Sequence, residues 1–304
     1  MFDVVQVNSA LADALEPLGT KRKFWYTDGA KRILFKAEER GTGEDWAEKI
    51  ACELCTLLGL PHVHYDLAYD ESNQTPGVVC LSFAKSPILL ILGNQLLLNR
   101  DPKYPAGEGK RYRLREYTVA AVAEVLHRLT LPPADWTASL PAGATSALDV
   151  FIGYVMLDAW IANQDRHHEN WGALSEGKSL SLAPTFDHGA SMARNLSDEE
   201  RHERMITRDV NRQIHSFTRK ARSAFYAQQD DAKPLSTLAA WQAFARLSSA
   251  ATAAWTNRLE AIDDTQVHAL LVKIPPSRMS NVCRKFTLEL LKENRKRVLM
   301  ESIR

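Results

Sequence analysis

The chain has 304 residues, of which 45% are hydrophobic and 25% charged, so it can bury a substantial core in one large domain or two moderate ones. The 38 Lys and Arg residues almost balance the 37 Asp and Glu residues, which leaves a formal net charge of +1. This balance excludes the strongly basic class of proteins whose overall charge attracts them to nucleic acids or membrane surfaces.

Neither a signal peptide nor a membrane span is predicted. The first residues, MFDVVQVNSALADALEP, lack the basic start and apolar core of a signal peptide. The longest apolar run, PILLILGNQLLL, is too short to span a bilayer. The chain has only four cysteines, which fits a reducing compartment. We therefore expect a cytoplasmic protein with no membrane partner.

Two of the cysteines, Cys52 and Cys55, form a CELC pattern that resembles half of a zinc site. No second CxxC or HxxxH pair follows at a suitable spacing, and the i, i+3 placement fits a helix. The pattern therefore favours packed, reduced thiols over a zinc site.

The N-terminal part of the chain is predicted to be rich in β-strands. Residues 4 to 15 are compatible with a short strand or a helix, whereas aromatic and β-branched runs at 23–26 and 32–36 flank a turn at 27–30 and predict a hairpin. The segments HVHYDLAYD and PGVVCLSFA predict two more strands, separated by a turn at 73–77.

A helix is predicted between these two pairs of strands. Thr42 or Asp45 is placed to cap its start, and Gly59 followed by Pro61 ends it. Glu48 lies at the edge of its apolar stripe, which comprises Trp46, Ala47, Ile50, Ala51, Leu54, Leu57 and Leu58.

Beyond residue 86 the chain is predicted to be mainly helical. Helical patterns lie at about 116–129 and 145–162, and the chain from about residue 195 onward is helical with polar faces. The sequence thus predicts an α+β protein in which a small β-rich part with one helix precedes a larger, mainly helical part.

The segment NQDRHHENW, residues 163–171, concentrates functional side chains between two hydrophobic segments. It contains Asp165 and Asn170, and it is followed by a predicted hairpin and then by Asp187. Because a hairpin brings its two ends together, we expect Asn170 and Asp187 to lie close to each other.

This order of residues suits phosphoryl transfer, which needs positioning and charge neutralisation more than covalent help. One Asp can orient the acceptor hydroxyl and take its proton, and an Asn with a second Asp can hold Mg²⁺. The same chemistry needs a strand lysine for the phosphates and a helix acid that holds this lysine, for which Lys36 and Glu48 fit. Lys31 and Arg32 are alternatives to Lys36, and Glu53 is an alternative to Glu48.

Two other patterns are interpreted as structural. Adjacent residues such as His167 and His168 seldom bind one ion together, and His167 is better interpreted as a hydrogen-bonding residue that braces the loop. The basic stretches RHERMITRDVNR and KENRKR are interpreted as solvated helix faces, and we expect no direct binding to nucleic acid.

The segments DAWIANQDRHHENWGAL and APTFDHG, together with LFK and WAEKIACELCTLLGLP, resemble the HipA-like kinases, bacterial Ser/Thr kinases related to HipA toxins. The order of elements agrees from about residue 18 to residue 190. The resemblance implies a bilobed protein-kinase-like fold, with a β-rich N-lobe over 1–88 and a mainly helical C-lobe over 89–304. The extra N-terminal region of full-length HipA proteins is expected to be absent.

The resemblance also implies a role for each residue of the site. Asp165 would be the catalytic base, with Asn170 and Asp187 as Mg²⁺ ligands. Lys36 would be the phosphate-binding lysine and Glu48 its partner. The phosphate loop would fall on LGTKRK, which has one glycine and no GxGxxG, and its candidate residues are Gly19, Thr20 and Lys21.

The resemblance therefore implies an ATP- and Mg²⁺-dependent kinase that transfers the γ-phosphoryl group to a Ser or Thr hydroxyl of a protein. It further implies autophosphorylation, a toxin activity and an antitoxin protein as partner. Two alternatives stay open, a small-molecule or lipid kinase of the same fold and a nucleotide-binding pseudokinase.

Overall fold

The computed structural model describes residues 1–15, 22–39, 41–107 and 112–301. Within these residues the chain forms nine β-strands and ten α-helices. The strands are β1 (Val4–Val7), β2 (Ala14–Leu15), β3 (Lys23–Asp28), β4 (Lys31–Ala37), β5 (Tyr65–Asp70), β6 (Thr75–Leu81), β7 (Leu89–Leu92), β8 (Gly172–Glu176) and β9 (Ser179–Leu182). The helices are α1 (Glu44–Leu58), α2 (Gly93–Arg100), α3 (Val119–Leu126), α4 (Ala147–Ile161), α5 (Asp198–Ile206), α6 (Ile214–Thr218), α7 (Thr237–Ala245), α8 (Ser249–Glu260), α9 (Asp264–Val272) and α10 (Asn281–Glu301).

Six strands form the first sheet, in the order β1-β5-β6-β4-β3-β2. β1 runs parallel to β5, and the other neighbouring pairs are antiparallel. The predicted hairpin is confirmed as β3 and β4, and the two predicted strands that follow the helix are β5 and β6. Residues 4–15, for which the sequence left strand and helix open, contain β1, β2 and a short 3-10 turn between them.

Side-chain alternation along β4 gives the first sheet two different faces. Phe35 packs on one face in a small apolar cluster, where its ring centroid lies 4.9 Å from that of Phe24. The neighbouring residues Leu34 and Lys36 point to the opposite face, because successive side chains of a strand alternate. α1 covers this second face, where it packs against β5 and β6.

The start of α1 differs from the prediction. Its N-cap is Gly43, with no capping side chain, so the assignment of the cap to Thr42 or Asp45 is wrong. Gly43 has a φ of 78°, and a Cβ at this position would lie 1.9 Å from Trp46 Nε1, so only glycine fits. The predicted end of the helix at Gly59 is confirmed.

α4 is the central helix of the remaining part of the chain. All fifteen of its residues are buried, and it packs against α3, α7, α8 and α10. Its first turn is closed by a capping box in which Ser146 and Asp149 each accept from the backbone of the other. The predicted helix over 145–162 is therefore confirmed, and its packing fixes the point from which the following loop begins.

A second, three-stranded sheet has the order β7-β8-β9. β8 and β9 are the hairpin predicted after the polar loop, and β7 pairs with β8 from Leu89 to Leu92. The predicted boundary between residues 88 and 89 falls between the first sheet and β7, and the division into two lobes stays a prediction. Among the described residues, no helix is both long and apolar enough to cross a membrane.

Candidate active site

A cavity of about 680 Å³ lies where the first sheet, α1, the loop after α4 and the segment after β9 meet. This volume is within the range of about 300–1,000 Å³ that is usual for small-molecule sites. The apolar part of its wall comprises Leu34, Cys80, Leu81, Phe83, Leu90, Leu92 and Phe186. The polar part includes Lys36, Glu44, Asp165, Asn170 and Asp187.

Lys36 is held at the cavity wall by two carboxylates. Its Nζ lies 3.0 Å from Glu48 Oε2 and 2.7 Å from Asp187 Oδ1, and it lies 5.2 Å from the centre of the Tyr65 ring. Burial alone would lower the pKa of this ammonium, but the charges of Asp187 and Glu48 raise the pKa well above its usual value. Lys36 therefore stays positively charged at neutral pH.

Glu48 is almost fully buried, with 2% of its side chain exposed, and it has a second partner. Its Oε1 accepts the backbone N–H of His188 at 2.7 Å. Burial would raise the pKa of this carboxyl, but the charge of Lys36 and hydrogen bonding by His188 lower it instead. The backbone at Gly189 passes close to α1, since a Cβ there would lie 3.3 Å from the Glu44 carbonyl oxygen and 3.4 Å from Glu48 Oε2.

The loop after α4 positions Asp165 and Asn170 together. Ala162, which ends α4, has left-handed backbone with a φ of 53°, and Asn163 then accepts the N–H of Asp165 at 3.1 Å. Asn170 Nδ2 donates to the carbonyl of Asp165 at 2.8 Å and lies 3.3 Å from Asp165 Oδ2. The two side chains are thus held in one short turn of the chain.

His167 and Tyr112 border Asp165. His167 Nδ1 accepts the N–H of Glu169 at 3.1 Å, and its Nε2 lies 3.5 Å from Asp165 Oδ1, which agrees with the bracing role predicted from the sequence. His168 is fully buried and hydrogen-bonds Tyr104 at 2.8 Å through Nδ1. The Tyr112 hydroxyl donates to Asp165 Oδ1.

The buried ion pair of Arg166 and Asp158 stabilises the loop after α4. Arg166 donates to both carboxylate oxygens of Asp158, at 2.8 and 2.9 Å, and to the carbonyl of Asn170 at 2.9 Å. Asn163 also donates to Asp158, at 2.8 Å. One carboxylate on α4 therefore fixes both ends of the loop that contains Asp165.

Asp187 lies in an unusual backbone conformation directly after the second sheet. Its φ is 60°, in the left-handed region, and 30% of its side chain is exposed toward the cavity side. The preceding segment is fixed by Thr185, whose N–H donates to the Pro61 carbonyl at 2.9 Å. Thr185 Oγ1 also hydrogen-bonds His188 Nε2 at 2.8 Å.

The donor atoms at Asn170 and Asp187 fit Mg²⁺. Asn170 uses its Nδ2 toward Asp165, so its Oδ1 is the atom that it can offer to a metal. Asp187 meets Lys36 with Oδ1 and has a second carboxylate oxygen, Oδ2. Amide and carboxylate oxygens are hard ligands, which suit Mg²⁺ better than a transition metal.

The structure brings together the candidate residues that it describes. Lys36, Asp165, Asn170 and Asp187 all line the cavity, and Glu48 lies behind Lys36. The phosphate-loop candidates lie outside the described residues, and they are Gly19, Thr20 and Lys21.

The alternatives considered from the sequence lie elsewhere. Arg32 lies over the ring of Trp25, with 4.7 Å between the guanidinium carbon and the ring centre. Lys31 is exposed at the hairpin turn. Glu53 pairs with Lys49 at 2.7 Å, one helical turn away from it.

Several residues of the site escape sequence reasoning. Tyr112, which contacts Asp165, precedes it by 53 positions. Arg194 pairs with Glu44, and the two residues are 150 positions apart. No local pattern links such residues. Asp158 and Arg166 could have been found, because an acid within an apolar helix must have a buried partner.

A scan of protein-family models and a search of curated proteins return no match. Among solved structures, the chain is similar to the proinflammatory kinase CtkA of Helicobacter pylori, with a TM-score of 0.72 and 18% identity over 99% of both chains. It is also similar to a chain of the HipA, HipB and operator DNA complex of the Shewanella oneidensis MR-1 toxin–antitoxin system. There the TM-score is 0.53 and the identity 12%, over 93% of this chain and 64% of the other. The predicted resemblance to HipA-like kinases is confirmed at the level of the fold.

Proposed function

We propose that this protein is an ATP- and Mg²⁺-dependent kinase that transfers the γ-phosphoryl group to a Ser or Thr hydroxyl of a protein. One observation carries the proposal. The buried ammonium of Lys36 is held by Glu48 and Asp187 at the wall of a cavity that Asp165 and Asn170 also line. Phosphoryl transfer needs this combination of a fixed cation, two metal-binding oxygens and an acid near the acceptor.

The two parts of the cavity wall suit the two ends of ATP. The apolar part, to which Leu34, Leu92 and Phe186 belong, suits a flat base. Lys36 would bind the α- and β-phosphates, and its contact with Glu48 fixes the position of the ammonium group. Because the protein's own side chains fix this charge, little ordering is left for the moment of reaction.

Asn170 and Asp187 would hold Mg²⁺, which supplies charge neutralisation at the phosphates when it is bound. Asp187 also touches Lys36, so both cationic groups that the phosphates need would be positioned by one carboxylate. Asn170 in turn contacts Asp165, which sets the metal ligand and the acid at a fixed spacing.

Asp165 would act at the acceptor. The acceptor oxygen forms a bond to the γ-phosphorus, the bond from that phosphorus to the β,γ-bridging oxygen breaks, and ADP leaves. The hydroxyl proton passes to the Asp165 carboxylate, which the loop and its buried ion pair hold in place.

The nature of the acceptor and of the partner rests on resemblance. CtkA is a kinase, and the Shewanella neighbour comes from a complex of HipA, HipB and operator DNA. We therefore include in the proposal a protein acceptor, self-phosphorylation and an antitoxin partner. A cytoplasmic location and a division into an N-lobe over 1–88 and a C-lobe over 89–304 belong to the same proposal.

The proposal is tested by the transfer of the labelled γ-phosphoryl group from ATP to the protein itself and to proteins of a cell extract, with and without Mg²⁺. Asp165→Asn keeps the shape of the side chain and removes the base, and Asp135→Asn changes an exposed acid outside the cavity as the matched control. We expect Mg²⁺-dependent labelling in the wild type and in the control and none in Asp165→Asn, while all three proteins bind ATP.

Two results would overturn the proposal. If all three proteins bind ATP and none of them, the wild type included, transfers the phosphoryl group, the protein is a pseudokinase. Transfer to inositol lipids, sugars or other small hydroxyl compounds, with no labelled protein, would identify a kinase with another class of acceptor. Phosphoamino-acid analysis of labelled protein then separates Ser and Thr from Tyr acceptors.

A further inference from the structure

A second cluster of functional side chains lies outside the cavity, between α1 and the segment that follows it. Cys52 Sγ and one ring nitrogen each of His62 and His64 all lie within 4.8 Å of one another. Cys52 is 1% exposed, whereas the side chain of His64 is 60% exposed, so an ion can enter from the side of His64. In the described part of the chain this is the one cluster of three such groups.

The spacing of these atoms matches a tetrahedral metal ion. Cys52 Sγ lies 3.6 Å from His64 Nδ1. An ion with a Zn–S bond of about 2.3 Å and a Zn–N bond of about 2.0–2.1 Å would hold its sulfur and nitrogen ligands about 3.6 Å apart. The spacing of this pair therefore equals that of two ligands of one tetrahedral ion, and the remaining ligand atom, on His62, lies within 4.8 Å of both.

The outward-facing ring nitrogens of both histidines have partners that fix the rings. His62 Nδ1 lies 2.7 Å from the carbonyl of Leu60, and its Nε2, which lies 3.2 Å from Thr56 Oγ1, would exchange that contact for the ion. His64 Nε2 lies 3.2 Å from Asp66 Oδ1, and its Nδ1 faces Cys52. Metal-binding histidines usually donate their other ring N–H to a carbonyl or a carboxylate in this way.

We propose that Cys52, His62 and His64 form a Zn²⁺-binding site in which solvent supplies the fourth ligand. One sulfur and two nitrogen ligands suit Zn²⁺ and do not suit Mg²⁺. Cys55 has no part in the site, because it is fully buried and does not belong to the cluster. The site is thus built from a cysteine of α1 and an H-x-H segment, not from the CELC pair.

An ion at this site would connect α1 to the chain segment that leads to Asp187. Cys52 follows Glu48 by one turn of α1. The H-x-H segment, residues 62–64, pairs with the segment before Asp187, because the N–H of Val63 donates to the Thr185 carbonyl at 2.9 Å. A bound ion would fasten the second half of α1 to the segment that leads to Asp187. Zn²⁺ should therefore stabilise the folded protein, because it binds that state and not the unfolded chain.

The test is Zn²⁺ binding by the full chain, freed of metal with a chelator and studied without nucleotide, so that its result does not depend on kinase activity. Affinity is measured by competition with a chromogenic chelator. Co²⁺ replaces Zn²⁺ in a second experiment, where a thiolate-to-cobalt absorption band reports the sulfur ligand. Cys52→Ser and His64→Ala remove ligands, and Cys283→Ser and His127→Ala are the matched controls.

We expect one Zn²⁺ per chain in the wild type and in both controls, a thiolate–cobalt band that Cys52→Ser abolishes, and a thermal unfolding midpoint that rises with Zn²⁺. Asp66→Asn, which removes an outer partner, should weaken binding by about 10- to 100-fold, and His64→Ala should weaken it more. Because His64 is exposed, its variant should fold without metal as the wild type does.

Failure of the wild type to bind Zn²⁺ would overturn the proposal. So would equal Zn²⁺ affinity in the wild type, Cys52→Ser and His64→Ala, which would show adventitious binding elsewhere on the chain. Loss of binding in His127→Ala or Cys283→Ser to the same extent as in the ligand variants would do the same.

Discussion

His188 donates its backbone N–H to Glu48 at 2.7 Å, and the other oxygen of the same carboxylate accepts from Lys36 at 3.0 Å. Glu48 therefore joins three separate elements, namely α1, β4 and the segment directly after Asp187. The position of the lysine relative to the candidate metal ligand therefore depends on this buried side chain as well as on the direct contact between Lys36 and Asp187. This is a larger role than the pairing with Lys36 that the sequence predicts.

Glu48→Gln should impair transfer without unfolding the protein. The amide keeps an oxygen for His188 but meets Lys36 without charge, so the ammonium loses one of its two fixed partners. We expect kcat/KM to fall by about 10²-fold, the size of loss that a misplacement of about 1 Å causes. Glu53→Gln, on the same helix, should stay near the wild type, and equal losses in the two variants would contradict the role of Glu48. Steady-state kinetics with ATP measure both.

Acid should destabilise the protein through Glu48. The pKa of this carboxyl in the folded protein is lower than its ordinary value of 4.5, so the unfolded chain binds the proton at a higher pH than the folded protein does. The contribution of Glu48 to the free energy of unfolding is then fully present above pH 4.5, and it is lost as the pH falls through the lowered pKa. Urea denaturation at several pH values should show a steeper loss between about pH 5 and pH 3 in the wild type than in Glu48→Gln. Parallel curves would disprove this contribution.

Tyr112→Phe should increase the rate. The Tyr112 hydroxyl donates to Asp165 Oδ1, an oxygen that the acceptor hydroxyl would have to reach. Removing this competitor should raise kcat/KM for the acceptor by about 3- to 10-fold, since Tyr112 is exposed and a typical hydrogen bond contributes a net ~1 kcal/mol. The KM for ATP should not change, and Tyr69→Phe, outside the cavity, is the control. A lower rate in Tyr112→Phe would mean that Tyr112 assists the acceptor instead.

Asp158→Asn should destabilise the fold and remove activity with it. The substitution leaves the buried guanidinium of Arg166 without its charged partner, which costs about 3–5 kcal/mol. Glu203→Gln is the matched control, because it breaks a pair with Arg212 in which the side chains of Glu203 and Arg212 are 43% and 58% exposed, and it should cost less than about 1 kcal/mol. Chemical denaturation measures both, and a similar small loss in the two variants would contradict the structural role of Asp158.

Local patterns predicted the elements around the site well. The hairpin of β3 and β4, the end of α1 at Gly59, and the order of loop, hairpin and Asp187 all follow from periodicity and turn residues. These features depend on neighbours within a few positions, which a single sequence shows directly. The start of α1 was predicted wrongly, because the choice of Gly43 depends on the indole of Trp46 folding back over it.

Contacts between distant segments could not be predicted in the same way. The pairing of Arg194 with Glu44 and that of Tyr112 with Asp165 join residues whose sequence neighbourhoods carry no common pattern. The H-x-H segment at His62 and His64 is different, because residues two apart in an extended chain point to the same side. Together with Cys52 of the preceding helix, this spacing is a sequence pattern from which the proposed Zn²⁺ site could have been predicted.

The left-handed backbone at Asp187 restricts which residues evolution can place there. Among residues other than glycine, Asp and Asn adopt this conformation most readily. Under the proposed function this position must meet two requirements, one on its oxygen atoms and one on the path of the main chain. An alanine at this position would alter both at the same time, so its loss of activity could not be assigned to either. The asparagine variant keeps the path of the main chain and changes only the side-chain group, which loses its charge and one of its two oxygens.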